Sequence, residues 1–165
     1  MTAPPELAAL VLGPLEGRPA ADWQRAPAGK WTPAHIVEHL ALAMELSAAT
    51  FRERRAKGPM ARRPTTLREK LGKLFVFGLG LFPPGLKAPE RSSPAPRVEG
   101  HSAETRFRAG LAAWEALEGD LLPARRHDLF VRHPRLGDLT MEEWTRFHAV
   151  HARHHARQIR DRLAG

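Results

Sequence analysis

Thr140-Met-Glu-Glu143-Trp144-Thr-Arg-Phe-His148-Ala-Val-His151-Ala-Arg-His154-His155-Ala-Arg-Gln158-Ile is the stretch that decides the reading of this chain. Thr140 and Glu143 have the spacing of a capping box, in which each side chain satisfies the other residue's orphan backbone N–H. Leu139 and Trp144 are placed to form a hydrophobic staple across that cap. At about 100° per residue, Trp144, His148, His151, His155 and Gln158 fall within about 80° of one another. Arg146, Arg153, Arg157 and Arg160 occupy the opposite side. The arginines are expected in solvent and the histidine stripe in a helical core, with His154 at its rim.

A buried histidine without a partner carries a desolvation cost, so several together need an explanation. A shared metal is one, because a neutral imidazole offers a lone pair at neutral pH. His151 and His155 have the four-residue spacing that puts two rings one turn apart. A third nitrogen has to come from another helix. Thr32 and Pro33 suit the cap and first position of a helix running to about Lys57, where Gly58 and Pro64 end it. That helix carries His35 and His39. His39 aligns with Ile36, Ala43, Leu46 and Thr50 on one face, whereas His35 lies at its edge, where it can cap or sit at the mouth of a site. Three protein nitrogens leave a coordination position open, the arrangement of catalytic metal sites.

Outward from these two helices, the chain reads as helices divided by proline-rich connections. A first helix is expected from Pro4 to about Leu15, then a turn or short helical piece with Trp23. Another helix is expected from about Thr66 to Phe82, followed by an irregular Pro/Ser/Arg connection to Gly100. A helix capped by Ser102 carries Phe107, Leu111, Trp114, Leu117 and Leu121. The segment Val131 to Leu139 reads as a connection, and no alternating run is long enough for a convincing strand. The expected fold is all-α, an antiparallel helical bundle, with residues 1–165 as one domain.

Composition narrows the functions. Apolar residues make up 42% and charged residues 27% of 165, ordinary for a soluble globular chain. There is no cysteine, so metal ligands must be histidine, carboxylate or water, and any thiol must come from outside. The opening Met-Thr-Ala-Pro-Pro-Glu lacks the features of a signal peptide, and the apolar run Leu74 to Phe82 is too short to span a bilayer. A cytoplasmic protein with no membrane partner is expected. The net charge of +8 is mostly arginine, crowded between Arg52 and Lys73 and along the last helix. No helix-turn-helix, ribonucleoprotein or zinc-finger pattern accompanies it, so nucleic acid is not an expected partner. A solvated surface is the simpler reading of the arginines at 52–63. Bidentate pairing with the carboxylates of an anionic thiol is the functional one.

Three segments together resemble the DinB/YfiT-like superfamily, which is unrelated to the DNA polymerase sharing part of that name. They are Trp31-Thr-Pro-Ala-His-Ile-Val-Glu-His39-Leu, His133-Pro-Arg-Leu-Gly137-Asp-Leu-Thr140-Met-Glu-Glu-Trp144, and His151-Ala-Arg-His-His155-Ala-Arg-Gln158-Ile. They cover about a third of the chain. The resemblance implies a four-helix bundle, often a homodimer, that holds a divalent metal (Zn, Ni, Fe or Mn) through His39, His151 and His155. The proline-rich stretch from 83 to 100 resembles only a subset of the family.

Characterised relatives implied by the resemblance include transferases and an isomerase that use low-molecular-weight thiols, and others are grouped as metal-dependent hydrolases. The expectation is therefore a metal-dependent enzyme acting on a small molecule, with a thiol or water as nucleophile. His35, His148 and His154 are the candidates for orienting ligands or moving protons. The alternative is a non-enzymatic bundle whose histidines are structural or bind metal without turnover, acting in partner or nucleic-acid binding.

Overall fold

A computed structural model describes residues 4–82, 88–121 and 125–164. The six α-helices among the described residues are α1 (Pro4–Leu12), α2 (Ala20–Trp23), α3 (Pro33–Arg55), α4 (Leu67–Lys73), α5 (Gly100–Asp120) and α6 (Met141–Ala164). Two short strands, β1 (Val131–His133) and β2 (Gly137–Leu139), precede α6.

Helix α6 starts as its sequence requires. The Glu143 N–H donates to Thr140 Oγ1 at 3.2 Å, and the Thr140 N–H donates to Glu143 Oε2 at 2.8 Å. Leu139 and Trp144 are both buried in one apolar cluster beside the cap. Helix α3 begins with the Thr32 hydroxyl accepting the His35 N–H at 3.3 Å, and Pro33 occupies the first turn, where no N–H is needed.

Four longer helices share the interior: α3 packs on α5 and α6, and α1 packs on the same two. Gly110 of α5 sits on α3, where an added Cβ would lie 3.4 Å from the Ala41 carbonyl oxygen. That small residue lets the two backbones approach. Helix α5 reaches α6 through the Trp114 indole, which donates to Thr145 Oγ1 at 3.1 Å. Thr145 donates in turn to Glu118 at 2.7 Å.

The core face of α3 is rotated from the expected one. Val37, Leu40, Ala41, Met44, Ala48 and Phe51 are buried, while Leu46 is 37% exposed. Alanine, leucine and methionine surround this helix, so its periodicity leaves the phase open. Packing against α5 settles it and leaves His39 on the edge of the apolar face, toward α6.

Three further expectations are corrected. The segment read as a connection is a β-ribbon: Val131 pairs with Leu139, Arg132 with Asp138 and His133 with Gly137, antiparallel. The described chain is therefore mainly helical with one small sheet. Strands of three residues carry too little alternation to be read from sequence. The helix expected to reach Phe82 ends as α at Lys73 and continues as one π-helical turn, Leu74–Gly78. Gly78 and Gly80 weaken it there, and Gly80 takes a positive φ of 64°. Helix α5 is capped by Glu99, whose carboxylate accepts the N–H groups of His101 and Ser102 at 3.0 and 2.7 Å. A carboxylate that serves two orphan donors makes the Ser102 hydroxyl unnecessary as a cap.

Within the proline-rich connection, residues 83–87 lie outside the described residues. The rest lies against α3, with a single 3-10 turn at Glu90–Ser92.

Gly137 has a φ of 73°, and a Cβ there would lie 2.7 Å from the Glu69 carboxyl carbon. Gly137→Ala should therefore cost about 2 kcal/mol or more in folding stability, read from the denaturant midpoint. A loss within a few tenths of a kcal/mol would contradict the strained turn.

Candidate metal centre

The edge of α3 and the inner face of α6 bring three imidazoles together. His39 Nε2 lies 3.2 Å from His151 Nε2, and His155 Nε2 lies 3.0 Å from the same atom. All three rings are buried, and their candidate ligand atoms lie within 4.8 Å of one another.

Hydrogen bonds on the far sides of two rings select their tautomers. His39 Nδ1 is 2.6 Å from the Ser92 carbonyl oxygen, so it must carry the proton and donate. His155 Nδ1 is 2.8 Å from Gln158 Oε1 and donates likewise. The amide end of Gln158 is 3.2 Å from His154 Nε2, which agrees with its oxygen facing His155. The Nε2 atoms of His39 and His155 therefore present lone pairs inward. Among the described residues His151 has no hydrogen-bond partner at Nδ1, and a proton on its Nε2 serves only one of the two lone pairs opposite.

Protonating the rings does not relieve this convergence. Burial holds all three below the usual histidine value, and the Ser92 carbonyl only partly offsets this for His39. His155 is pushed down to about 3, first by burial and then by His39. His151 is lowered well below 6.5 by burial and then by His155. Three buried neutral imidazoles whose Nε2 atoms converge suit a cation. These residues could hold a metal ion, and two already have the outer hydrogen bonds that orient metal-bound histidines.

Aromatic rings surround the centre. Trp31 lies 4.9 Å from His39 between ring centroids, Phe147 stacks on His151 at 5.5 Å, and Phe82 lies 5.3 Å from both His151 and His154.

The other candidates are placed differently. His148 is buried one turn before His151, with its ring 4.5 Å from Trp114, and neither nitrogen has a hydrogen-bond partner among the described residues. Burial pushes its pKa down to about 3. It does not join the three-histidine group. His35 is tied at Nδ1 to the Thr32 hydroxyl at 2.6 Å, and its Nε2 is 3.3 Å from the Pro96 carbonyl. It fastens the proline-rich connection to the start of α3. His154 is half-buried at the rim, and burial followed by Arg157 lowers its pKa.

Two supports of the site carry no signal in the sequence. Ser92 acts through its backbone carbonyl, which no residue type announces. Glu38 accepts the Ala95 N–H at 3.0 Å and so pins the same connection. Gln158 was visible on the histidine stripe, but its contact with His155 was not. Three of the candidate anion-binding arginines bond to the protein itself. Arg52 donates to the Ala113 carbonyl, Arg62 to the His127 carbonyl, and Arg63 to Glu69.

In the metal-free protein the depressed histidines make stability pH-dependent. The unfolded chain takes up protons near pH 6.5, whereas buried His148 does so only near 3. Stability is therefore complete above 6.5 and lost as pH falls toward 3, with His148 accounting for on the order of 3 kcal/mol at pH 4. His148→Phe should flatten the urea-derived stability between pH 7 and 4 by that order. An unchanged slope would show that His148 is not buried neutral.

Comparison with curated proteins and with solved structures gives no match. The family model described as "Protein of unknown function (DUF1569)" matches residues 19–162. That span includes all three converging histidines, the Ser92 and Gln158 groups that orient them, and most of the chain. This chain belongs to the DUF1569 family.

Proposed function

We propose that this chain is a metal-dependent enzyme, built on an antiparallel four-helix bundle of the DinB/YfiT-like type, in which His39, His151 and His155 hold a divalent ion. The observation that carries the reading is the convergence of three buried Nε2 atoms, two with tautomers chosen by outward hydrogen bonds. A zinc, nickel, iron or manganese ion held by three neutral imidazoles would keep an open position and act as a Lewis acid, favouring the anionic form of a thiol or of water. The absence of cysteine means that a thiol nucleophile would be a small co-substrate.

The chain's own residues divide the remaining work. Ser92 and Gln158 hold the His39 and His155 rings in register. Trp31, Phe82 and Phe147 keep the surroundings apolar, which strengthens electrostatic effects at the centre. His154, half-buried at the rim and 3.2 Å from the Gln158 amide nitrogen, would exchange protons with solvent. The reaction supported is transfer of a low-molecular-weight thiol to an electrophile, or hydrolysis.

Metal analysis of protein purified without a histidine tag tests the first half of the proposal. About one equivalent should be retained or taken up, with a raised melting temperature. His151→Ala should lower occupancy to below about a tenth, and His127→Ala should leave it intact. Equal occupancy in both variants would refute the ligand set. Turnover tests the second half: the metallated protein should consume a thiol with an electrophile or hydrolyse an ester or amide. Full occupancy without either activity would make this a metal-binding protein and not an enzyme.

A further inference from the structure

Helix α4 carries its amphipathicity inside out. Leu67, Leu71 and Leu74 share one helical face and point to solvent. The polar face points inward. Glu69 is buried against Arg63, and Lys73 Nζ donates to the Asp138 carbonyl at 2.7 Å and to Glu143 at 3.3 Å. Gly72 presses on the ribbon, where an added Cβ would meet the Leu136 side chain at 3.0 Å. The apolar surface continues beyond the helix through Phe75, Leu79 and Leu81. These six large side chains, within fifteen residues, are between 42% and 73% exposed. An apolar run of this size facing water marks a docking surface.

The charges around it identify the occupant. Arg68 and Lys70 are exposed and lie on opposite flanks of the leucine stripe. Between Thr66 and Phe82 the only carboxylate is Glu69, which Arg63 draws down to about 2 and holds inside. Arg146 and Arg157 of α6 donate to the Phe77 and Gly80 carbonyls along the other side of the run. The surface is thus apolar along its middle and cationic at its margins. Two copies paired through it would set like charges beside one another, with no carboxylate on the stripe to offset them. A lipid leaflet with anionic headgroups offers the complement, negative charge above apolar chains.

We propose that the Leu67–Leu81 face is a docking surface for an anionic membrane, on which the chain lies without spanning it. The leucines and Phe75 enter the boundary between headgroups and acyl chains, and Arg68 and Lys70 pair with lipid phosphates. This run leads into Phe82, whose ring packs on His151 and His154. Docking would therefore bring Phe82, and the histidines it packs on, close to the lipid surface. The proposal stands independently of whether that centre holds a metal.

Co-sedimentation of the full chain with vesicles of phosphatidylcholine, alone or mixed with phosphatidylglycerol, tests it. Binding is expected to the mixed vesicles only, and should weaken as salt rises. Leu71→Gln combined with Leu74→Gln should weaken it by about tenfold or more. Arg68→Gln with Lys70→Gln should weaken it about fivefold or more. Because these side chains are exposed, helical circular dichroism should be unchanged in both variants. No binding of the unaltered chain to the mixed vesicles would overturn the proposal, as would full binding by the leucine variant. A dimer that the leucine substitutions convert to monomer, without vesicle binding, would assign the face to a second copy and likewise overturn it.

Discussion

The inward lone pairs of His39 and His155, meeting His151 Nε2 where burial disfavours protonation, set the terms for the packing around α3 and α6. Such a convergence is electrostatically unfavourable by itself and becomes favourable with a positive charge at its centre. The neighbouring structure resists its relaxation. Ser92 and Gln158 hold two rings by their outer nitrogens, and Trp31, Phe82 and Phe147 close around them. The third ring, His151, is held by stacking and by its position between the other two. The arrangement is thus built from the outside inward, through hydrogen bonds that each ring makes away from the centre.

The proline-rich connection belongs to this support. His35, Glu38 and His39 project from neighbouring turns of α3 and take, respectively, the Pro96 carbonyl, the Ala95 N–H and the Ser92 carbonyl. A segment with little regular structure is thereby fixed against the helix by three side chains, one of which also points into the centre. Any cation that polarises His39 at Nε2 would strengthen its Nδ1–H bond to Ser92. The centre and the connection are therefore coupled through one ring.

Much of this was legible locally. The Thr140–Glu143 box, the Thr32–Pro33 start and the segregation of histidines from arginines along α6 all depend on neighbours within one or two turns, so sequence spacing carries them. The phase of α3 was harder, because alanine and leucine surround it and only the partner helix decides which side is inside. The β-ribbon escaped notice because each strand has three residues. The π-helical turn and the Glu99 cap were missed for a related reason: small differences in backbone geometry and side-chain reach select among local alternatives that composition leaves nearly equal.

The sequence by itself determined a mainly helical chain, the faces of α6, and the pairing of His151 with His155, because helical spacing alone places those rings. Tertiary structure decided that His39 closes the group, that His148 stays apart among aromatic rings, and that His35 serves the connection. It also turned the leucines of α4 outward, since Glu69 and Lys73 found partners inside. Each of these depends on contacts between residues tens of positions apart, and the free energy of such contacts is set by which surfaces meet in the folded chain.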